Sequence, residues 1–295
     1  MPASDGGQCS PSRTAHHARH GTCMTHDELR MLAVAYNLSH PKHAIPPRAF
    51  RTRKALIACI DDRLRQCHGD EACWLAMDWA EKDDGVKAAE RSALRPRQPP
   101  TWRRNRSEWL SNFDILDVMH QYERRFRSFK FLDCTPIDFD SCSVSPALCK
   151  FDAAALAPKS QFGVVFNTDP HWKPGSHWVA CYGNLNPRMP TYGVCYFDSN
   201  GHPPPPSVVR FMERVKATLP EESHARSRHR FRLVYSSERH QFRDSECGMF
   251  AMMFILVHLH SNGRRRPFES VLGLIGRDDD MHRMRDELFI ATAAS

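Results

Sequence analysis

The sequence lacks any apolar run that is long enough to cross a membrane. Its longest apolar run is Met249–Val257, far below the roughly 18 residues that a transmembrane helix needs. The first two dozen residues contain no apolar stretch, so we expect no secretory signal and no contact with a membrane. Hydrophobic residues make up 41% and charged residues 25% of the chain, which excludes a wholly disordered protein.

The sequence also lacks the closely spaced cysteine pairs that are typical of zinc sites. Cys134, Cys142 and Cys149 are eight and seven residues apart, so we expect no metal at these positions. The chain has 11 cysteines. Without a secretory signal they indicate free thiols in a reducing compartment rather than a disulfide framework.

Acidic residues are absent from Arg91–Arg106, a stretch that holds six arginines. Further basic clusters lie at 226–232 and 264–266, and the net charge of the chain is +7. These features predict a weak contact with nucleic acid through Arg91–Arg106. The alternative is that arginine-rich linkers and loops are simply solvated, and no recognisable nucleic-acid-binding fold accompanies them.

Prolines and shifts in composition divide the chain into four predicted parts. The capping-box pattern of Thr25 and Glu28 begins a helical pattern. From Trp109 onwards the sequence instead combines helical patterns with short apolar segments. The predicted parts are a disordered tail (1–24), a small helical arm (25–90), an Arg/Pro-rich connector (91–106) and a main domain (107–295).

The hydrophobic pattern of the main domain predicts an α+β fold. Short apolar segments bounded by turn residues indicate strands, and apolar residues at helical spacing indicate helices. We expect a small central mixed β-sheet packed between helices, with an N-terminal helical extension. The predicted strands are 161–167, 177–182, 192–197 and 231–235, and the predicted helices are 109–125, 207–219 and 247–260.

Cys247 lies in a setting that is typical of a catalytic cysteine. It opens a strongly apolar predicted helix behind Ser245, which we expect to be the N-cap. A thiol in the first turn of a helix feels the positive end of the helix dipole, which favours the reactive thiolate. Gly248 allows backbone to approach the sulfur, and the amide of Gln241 could meet an oxyanion together with the backbone N–H of Cys247. The alternative is that Cys247 is only a small buried residue.

A histidine and an aspartate stand at the ends of two successive predicted strands. His177 begins one strand and Asp198 ends the next. Neighbouring strands can thereby form an Asp–His pair, which fixes the imidazole tautomer and stabilises an imidazolium beside a thiolate. A lone histidine before an apolar strand is more often structural, but its joint occurrence with Asp198, Gln241 and Cys247 favours catalysis.

Together these residues resemble the cysteine proteases of the ubiquitin-like-protein protease type, the group that includes the adenovirus proteinase. That family has the chain order His, Asp or Asn, Gln and Cys, and the spacings here are 21 (198 − 177) and 49 (247 − 198). The segment that starts at Trp109 is similar to the Trp-Leu-Asn-Asp motif that opens the catalytic domain in the SUMO-protease branch. Trp178 and the run Phe-Asp-Ser-Asn-Gly-His-Pro-Pro look most like polyprotein-processing proteases of large DNA viruses of the asfarvirus type.

The resemblance covers roughly residues 107–260 and implies the adenain-type cysteine-protease fold, which requires no cofactor. It implies that Cys247 is the nucleophile, that His177 is the general base and then the acid, and that Asp198 orients His177. Gln241 would complete the oxyanion hole. The residues implied to bind substrate are Trp178, Trp109, Asn112 and Gly248.

Two features compete with this assignment. His171-Trp172 repeats the dipeptide His177-Trp178, but His171 lies between two prolines with no strand after it, so we predict that His177 is the catalytic histidine. Cys181 and Cys195 lie inside predicted strands, and we expect them to be packing residues.

The implied function is an endopeptidase that cleaves after small residues of the Gly-Gly-X type during maturation of viral polyproteins or capsid proteins. The expected location is the host cytoplasm and the virion. One alternative keeps the chemistry and changes the substrate, to conjugates of SUMO, ubiquitin or a relative. The other is a catalytically idle basic module that binds nucleic acid or a capsid, which the four intact site residues disfavour.

Overall fold

The computed structural model describes residues 7–220 and 228–291, which form two compact units. The first, called the arm unit, contains the described residues up to Pro100 together with residues 286–291. The second, called the sheet unit, runs from Thr101 to Arg285. Within the described residues, no helix combines the length and the apolarity that a membrane span requires.

The sheet unit is built on one mixed sheet of five strands, in the spatial order β1-β2-β3-β4-β5. The outer pairs β1/β2 and β4/β5 are parallel, and the inner pairs β2/β3 and β3/β4 are antiparallel. The expected α+β fold is therefore confirmed. The strands are β1 (Phe129–Pro136), β2 (Gln161–Asn167), β3 (Trp178–Asn184), β4 (Gly193–Phe197) and β5 (Arg232–Tyr235).

The helices of the two units are mostly short. The arm unit contains α1 (Thr14–His20), α2 (His26–Ser39), α3 (Arg53–Arg63), α4 (Glu71–Leu75) and α5 (Asp84–Ala93). The sheet unit contains α6 (Asn112–Arg125), α7 (Pro146–Cys149), α8 (Pro206–Ala217), α9 (Cys247–Ser261) and α10 (Phe268–Leu272). The last helix, α11, is Asp278–Leu288.

Helix α9 is the central helix of the sheet unit. Every residue of α9 except His260 is buried, as its uniformly apolar composition predicts. It packs mainly against β3, whose last six residues are also buried. Both α9 and β3 begin at one end of the sheet, so the residues that open these elements meet there.

The expected disordered tail is wrong for residues 7–24. This segment contains α1, and a disulfide joins Cys9 to Cys23 across it. Cys9 also forms a β-bridge with Leu94, and Ser10 donates a hydrogen bond to the carbonyl of Ser92 at 2.7 Å. This stretch has no hydrophobic period of its own. It is ordered by contacts with residues that are distant in the sequence. Residues 1–6 lie outside the described part of the chain.

The first part of the Arg/Pro-rich connector is bonded to other residues of the arm unit and is not a free linker. Arg95 is buried and donates to the carbonyl of Gly7 at 3.1 Å. Arg97 pairs with Glu90 at 2.6 Å and belongs to the arm unit as well. The amide of Ile290 donates to the carbonyl of Pro96 at 2.9 Å, so the end of the described chain belongs to the arm rather than to the main domain. Sequence spacing alone could not show this return of the chain.

The expectation of free thiols throughout is also wrong. Three disulfides join Cys9 to Cys23, Cys67 to Cys73 and Cys142 to Cys149. Each pair is at most 14 residues apart in sequence, and turns or short helices bring the two Cα atoms within bonding range. Cysteine count and compartment arguments do not detect such local pairs. The free cysteines are Cys59, Cys134, Cys181, Cys195 and Cys247.

A close backbone approach between β4 and β5 generates a stability prediction. Gly193 has φ +145°, and a Cβ there would overlap the carbonyl oxygen of Arg232. Gly193→Ala should therefore lower the free energy of unfolding by about 2–4 kcal/mol, because either the β4/β5 pairing or the backbone must give way. Gly263→Ala is the matched control, since a Cβ at Gly263 meets nothing within 4 Å. Chemical denaturation of both variants measures the difference, and equal losses would contradict the steric account.

Candidate active site

His177 and Asp198 lie at the same end of the sheet. His177 directly precedes β3 and Asp198 directly follows β4. These strands are antiparallel neighbours in which Ala180 faces Phe197, so the start of one lies beside the end of the other. The topology thus places the imidazole next to the carboxylate, as the sequence pattern predicts.

The two side chains form a close hydrogen-bonded pair. His177 Nε2 lies 2.7 Å from Asp198 Oδ1, and the backbone amide of Asn200 donates to the same carboxylate oxygen at 2.8 Å. The other carboxylate oxygen lies 3.2 Å from Nδ1 of the exposed His202. Burial tends to raise the pKa of Asp198, but these hydrogen bonds outweigh it and lower that pKa. Asp198 is therefore held as a carboxylate.

Cys247 faces the same imidazole. Burial tends to lower the pKa of His177, but hydrogen bonds with Asp198 and then with Cys247 raise it to about 9. Since Nε2 is engaged by Asp198, Nδ1 is the nitrogen left for the sulfur. Cys247 is the first residue of the buried helix α9, and His177 directly precedes β3. The start of the helix therefore meets the start of the strand. The chain thus brings together a thiol, an imidazole and a carboxylate.

The N-cap of α9 differs from the expected one. Glu246 occupies the N-cap and makes no side-chain capping bond, while Ser245 donates its hydroxyl to the Glu246 carboxylate at 3.3 Å. Glu246 is buried and pairs with the fully buried Arg285, whose Nε lies 2.9 Å from Oε2. The Arg285 guanidinium also lies 4.4 Å from the centre of the Trp102 ring. A buried ion pair thus holds the residue that precedes Cys247, which replaces capping by Ser245.

Gln241 is buried beside the residue that follows Asp198. Its backbone amide donates to the carbonyl of Ser199 at 2.9 Å, and the Ser199 hydroxyl donates to its side-chain oxygen at 2.7 Å. Its side-chain nitrogen donates to the carbonyl of Arg243 at 2.5 Å. The amide orientation is therefore fixed at both ends, and one of the two N–H groups of the Gln241 side chain has no hydrogen-bond acceptor among the described residues.

Trp178 packs across the start of α9. Its indole N–H donates to the carbonyl of Leu110 at 2.9 Å. A Cβ on Gly248 would come within 3.1 Å of Leu110 and 3.3 Å of Trp178, which is tighter than most real contacts. Gly248 therefore gives Trp178 and Leu110 the room to close over the residue next to Cys247.

A groove of about 450 Å³ extends from Trp178 along the sheet unit. Trp109 and Asn112, which precede and open α6, line one part of it. The loop 169–175 lines another part, including Asp169 and His171. Trp109 is 45% exposed, so its ring is accessible to a ligand in the groove. Three of the four predicted substrate-binding residues line this groove, and Gly248 lies behind Trp178.

The competing histidine occupies a different position. His171 lies in the groove loop, where its Nδ1 is 2.6 Å from Asp138 Oδ2, and no contact joins it to Cys247. Cys181 and Cys195 are completely buried inside β3 and β4, and burial raises the pKa of both thiols. Across residues 7–220 and 228–291, no group of three or more metal-binding side chains converges.

The sequence did not indicate the residues that support the site from behind. Ser199 fixes Gln241, and Asp278 accepts the backbone amide of Phe242 at 2.8 Å. Arg285 neutralises Glu246. An acidic residue directly before the cysteine was a usable signal, because a buried carboxylate needs a cationic partner, but its partner 39 residues away could not be identified from spacing.

A thiol at the start of a buried helix, facing a His–Asp pair at the ends of two inner strands of a mixed sheet, defines a peptidase of the cysteine type. Residues 153–294, just under half of the chain, match the family described as Ulp1 protease family, C-terminal catalytic domain, so this part of the chain is similar to that family. The predicted resemblance and the predicted class of enzyme are thereby confirmed.

Relatives and one solved structure extend the match over most of the chain. A protein of Acanthamoeba polyphaga mimivirus that is named as a thiol protease is 27% identical over 284 residues, which cover 90% of this chain and 87% of the relative. A cysteine protease of African swine fever virus is 28% identical over 204 residues, which cover 63% of this chain and 69% of the relative. The crystal structure of the ASFV pS273R protease has a TM-score of 0.63 at 19% identity and covers 97% of this chain and 96% of that one, so it shows the same fold.

The His177–Asp198 pair predicts a pH dependence. Because the pKa of His177 is about 9 in the fold and 6.5 ordinarily, its charged form stabilises the fold fully below pH 6.5, and this stabilisation is lost as the pH rises through about 9. Asp198→Asn should lower the midpoint of the His177 titration, followed by NMR, and should reduce turnover roughly 10²–10⁴-fold.

His202→Ala is the control for this change, since it removes the exposed second partner of Asp198. It should alter neither the His177 midpoint nor the turnover appreciably. A His177 midpoint that stays in place in Asp198→Asn would show that Asp198 does not hold the imidazolium.

Proposed function

We propose that the protein is an endopeptidase in which Cys247 is the nucleophile and His177 is the general base and acid. The observation that carries the proposal is the hydrogen-bonded chain Asp198–His177–Cys247. An imidazolium beside the thiol stabilises the thiolate, and the buried carboxylate stabilises the imidazolium. This arrangement supplies a charged nucleophile without any metal or cofactor.

The reaction follows from the positions of these groups. The Cys247 sulfur attacks the scissile carbonyl carbon, and the developing oxyanion accepts hydrogen bonds from the Cys247 backbone N–H and from the free N–H of Gln241. The protonated His177 then donates its proton to the leaving amine, which releases the first product and leaves a thioester. His177, now neutral, takes a proton from water, and the resulting hydroxide attacks the thioester carbon. The C–S bond breaks, the acid product leaves, and the Cys247 thiolate and the protonated His177 are restored.

Asp198 acts through His177 in both halves of the reaction. It accepts the Nε2–H bond throughout, so the imidazole keeps Nδ1 directed at the sulfur. The orientation of the Gln241 side chain is fixed in the same way, by a hydrogen bond to a neighbouring residue. Its amide oxygen is bonded to Ser199, so the amide cannot rotate to present oxygen to an oxyanion, which would be repulsive.

The groove that Trp178 and Trp109 line supports cleavage after small residues. Trp178 and Leu110 close over Gly248, and Trp178 and Trp109 line the same groove. A side chain larger than hydrogen in the position before the scissile bond would collide with the indole. We therefore propose glycine immediately before the bond and at the position before that, as in Gly-Gly-X sequences.

The proposed substrates are viral polyproteins or capsid proteins, cleaved in the host cytoplasm and in the virion. The relatives described above are viral proteins named as proteases, which supports this role. A deconjugase of the SUMO or ubiquitin type would use the same four residues. If the protein is a deconjugase, a ubiquitin-like modifier that carries a C-terminal electrophile should label Cys247 rapidly. If it is the proposed endopeptidase, it should react faster with Gly-Gly-X peptides than with that modifier.

Mutation of the nucleophile tests the proposal directly. Cys247→Ala should abolish cleavage of Gly-Gly-X peptides and leave the melting temperature nearly unchanged, because it removes one small atom at a helix start. His177→Ala should reduce kcat to a similar level, and the double variant should be scarcely worse than either single one, since the residues act as a unit. Cleavage that survives in Cys247→Ala, or losses that add in the double variant, would refute the assignment.

Trp178 offers a test of the substrate preference. Peptides that differ only in Gly-Gly, Gly-Ala or Gly-Leu before the bond should be cut at steeply falling rates by the native enzyme. Trp178→Ala should reduce this selectivity for glycine while raising KM through the loss of aromatic contact. Trp172→Ala is the matched control, because Trp172 is 70% exposed and does not line the groove. Equal rates for the three peptides with the native enzyme would remove the steric account.

A further inference from the structure

The end of the sheet opposite the thiol carries a dense group of arginines. β3 and α9 both run away from the site, to Asn184 and Ser261, and the Asn184 amide donates to Asn262 at 3.1 Å. A helix of 15 residues rises by about 21 Å between its first and last residues at 1.5 Å per residue. This end is therefore about 20 Å from Cys247.

Four chain segments deliver arginines to this end, which we call the arginine pole. The Arg265 guanidinium donates to the carbonyl of Arg188 at 2.6 Å, and the backbone amide of Arg228 donates to the carbonyl of Pro187 at 3.2 Å. The end of α6 joins them through Phe126, whose ring lies 5.2 Å from that of His260. The arginine pole consists of Arg125, Arg127, Arg188, Arg228, Arg230, Arg264, Arg265 and Arg266.

The guanidinium groups of the pole are available for a ligand. All are exposed except the half-buried Arg266, and within the described residues none of the eight forms an ion pair. The neighbouring carboxylates already have partners, since Glu123 binds Lys130 and Lys159 and Glu269 binds Arg232. Burial and then the charge of Arg125 lower the pKa of His260.

We propose that the arginine pole binds the phosphate backbone of nucleic acid. Eight unpaired positive charges close together repel one another, and a polyanion relieves that repulsion by releasing its counterions on binding. Guanidinium is planar and binds phosphate oxygens in a bidentate manner, and charges spread over four segments suit a polymer with many phosphates better than one small anion. Sequence-independent binding follows, because all of these contacts would be to backbone.

The pole differs from the stretch that the sequence favoured. Within Arg91–Arg106, Arg95 is buried and Arg97 is paired with Glu90, so these two contribute no free charge. The clusters near residues 228 and 264 are separate in sequence and are brought together only by the fold. The basic residue Arg226 lies outside the described residues.

The test measures binding of a fluorescein-labelled 30-base-pair DNA duplex by anisotropy over a series of salt concentrations. The triple variant Arg264→Gln, Arg265→Gln, Arg266→Gln should weaken binding at least tenfold at low salt and reduce the slope of log K against log salt by about 2–3. Arg30→Gln, Arg48→Gln, Arg51→Gln is the matched control, with the same loss of charge at three exposed arginines of the arm unit. It should change the affinity less than threefold.

Two further binding measurements complete the experiment. A single-stranded RNA of 30 nucleotides tells whether the pole distinguishes RNA from DNA, and phosphatidylserine vesicles tell whether it prefers a lipid surface. Peptide cleavage should stay within twofold in both triple variants, because the pole is remote from Cys247. Should the first triple variant fold poorly, Arg188→Gln, Arg228→Gln, Arg230→Gln repeats the test from two other segments.

The proposal is overturned if the pole and arm variants weaken nucleic-acid binding equally, since affinity would then follow net charge alone. It is also overturned by binding that does not depend on salt, by the absence of binding at low salt, or by vesicles that bind more tightly than both nucleic acids and lose that binding in the pole variant. None of these outcomes bears on the peptidase proposal, which Cys247→Ala tests separately.

Discussion

Burial of α9 against β3 is the constraint on which the site depends. Almost the whole surface of α9 is apolar and covered, so the helix cannot slide or rotate without exposing large side chains or opening cavities. One residue of slippage would turn Cys247 by about 100° away from His177. The position of the thiol is thus a consequence of core packing. The geometry of the proposed active site and the stability of the fold therefore depend on the same interactions at this helix, and a core substitution on α9 would affect both.

The charged groups of the site follow one another from the buried Asp198 through His177 to Cys247. Asp198 is almost fully buried and holds its negative charge through donors on three sides. That charge is what keeps His177 protonated despite the burial that opposes it. A protonated imidazole in a medium of low polarity attracts a thiolate more strongly than it would in water. In the proposed mechanism the strength of the nucleophile therefore depends on a carboxylate that acts only through His177.

The parts of the fold that could be predicted from sequence are those in which one short segment contains the whole signal. The predicted strand 161–167 is observed with the same bounds, because it is a continuous apolar run between turn residues. Helix α2 has the predicted capping box, and α9 begins at Cys247 as expected. β1 was missed because Lys130 and Asp133 interrupt its apolar residues. The structured tail and the return of the chain at Ile290 depend on partners far apart in sequence, which one sequence does not pair. The disulfides join nearby cysteines, but whether two of them come within bonding range depends on the turn or helix between them.

The same distinction applies inside the site. The pattern of His177, Asp198 and Cys247 was readable because each of them stands at the end of a strand or at the start of a helix. The contacts that fix Cys247, and those that fix Gln241 in the loop before α9, were not readable. The loop between them is held by Ser199 on one side and by Asp278 and Arg285 on the other. Glu246, directly before the nucleophile, would oppose a thiolate if its charge were unbalanced, and Arg285 supplies the balance from within the interior. Since breaking one half of a buried pair leaves an uncompensated charge, the pair is a condition for placing a carboxylate next to the thiol at all.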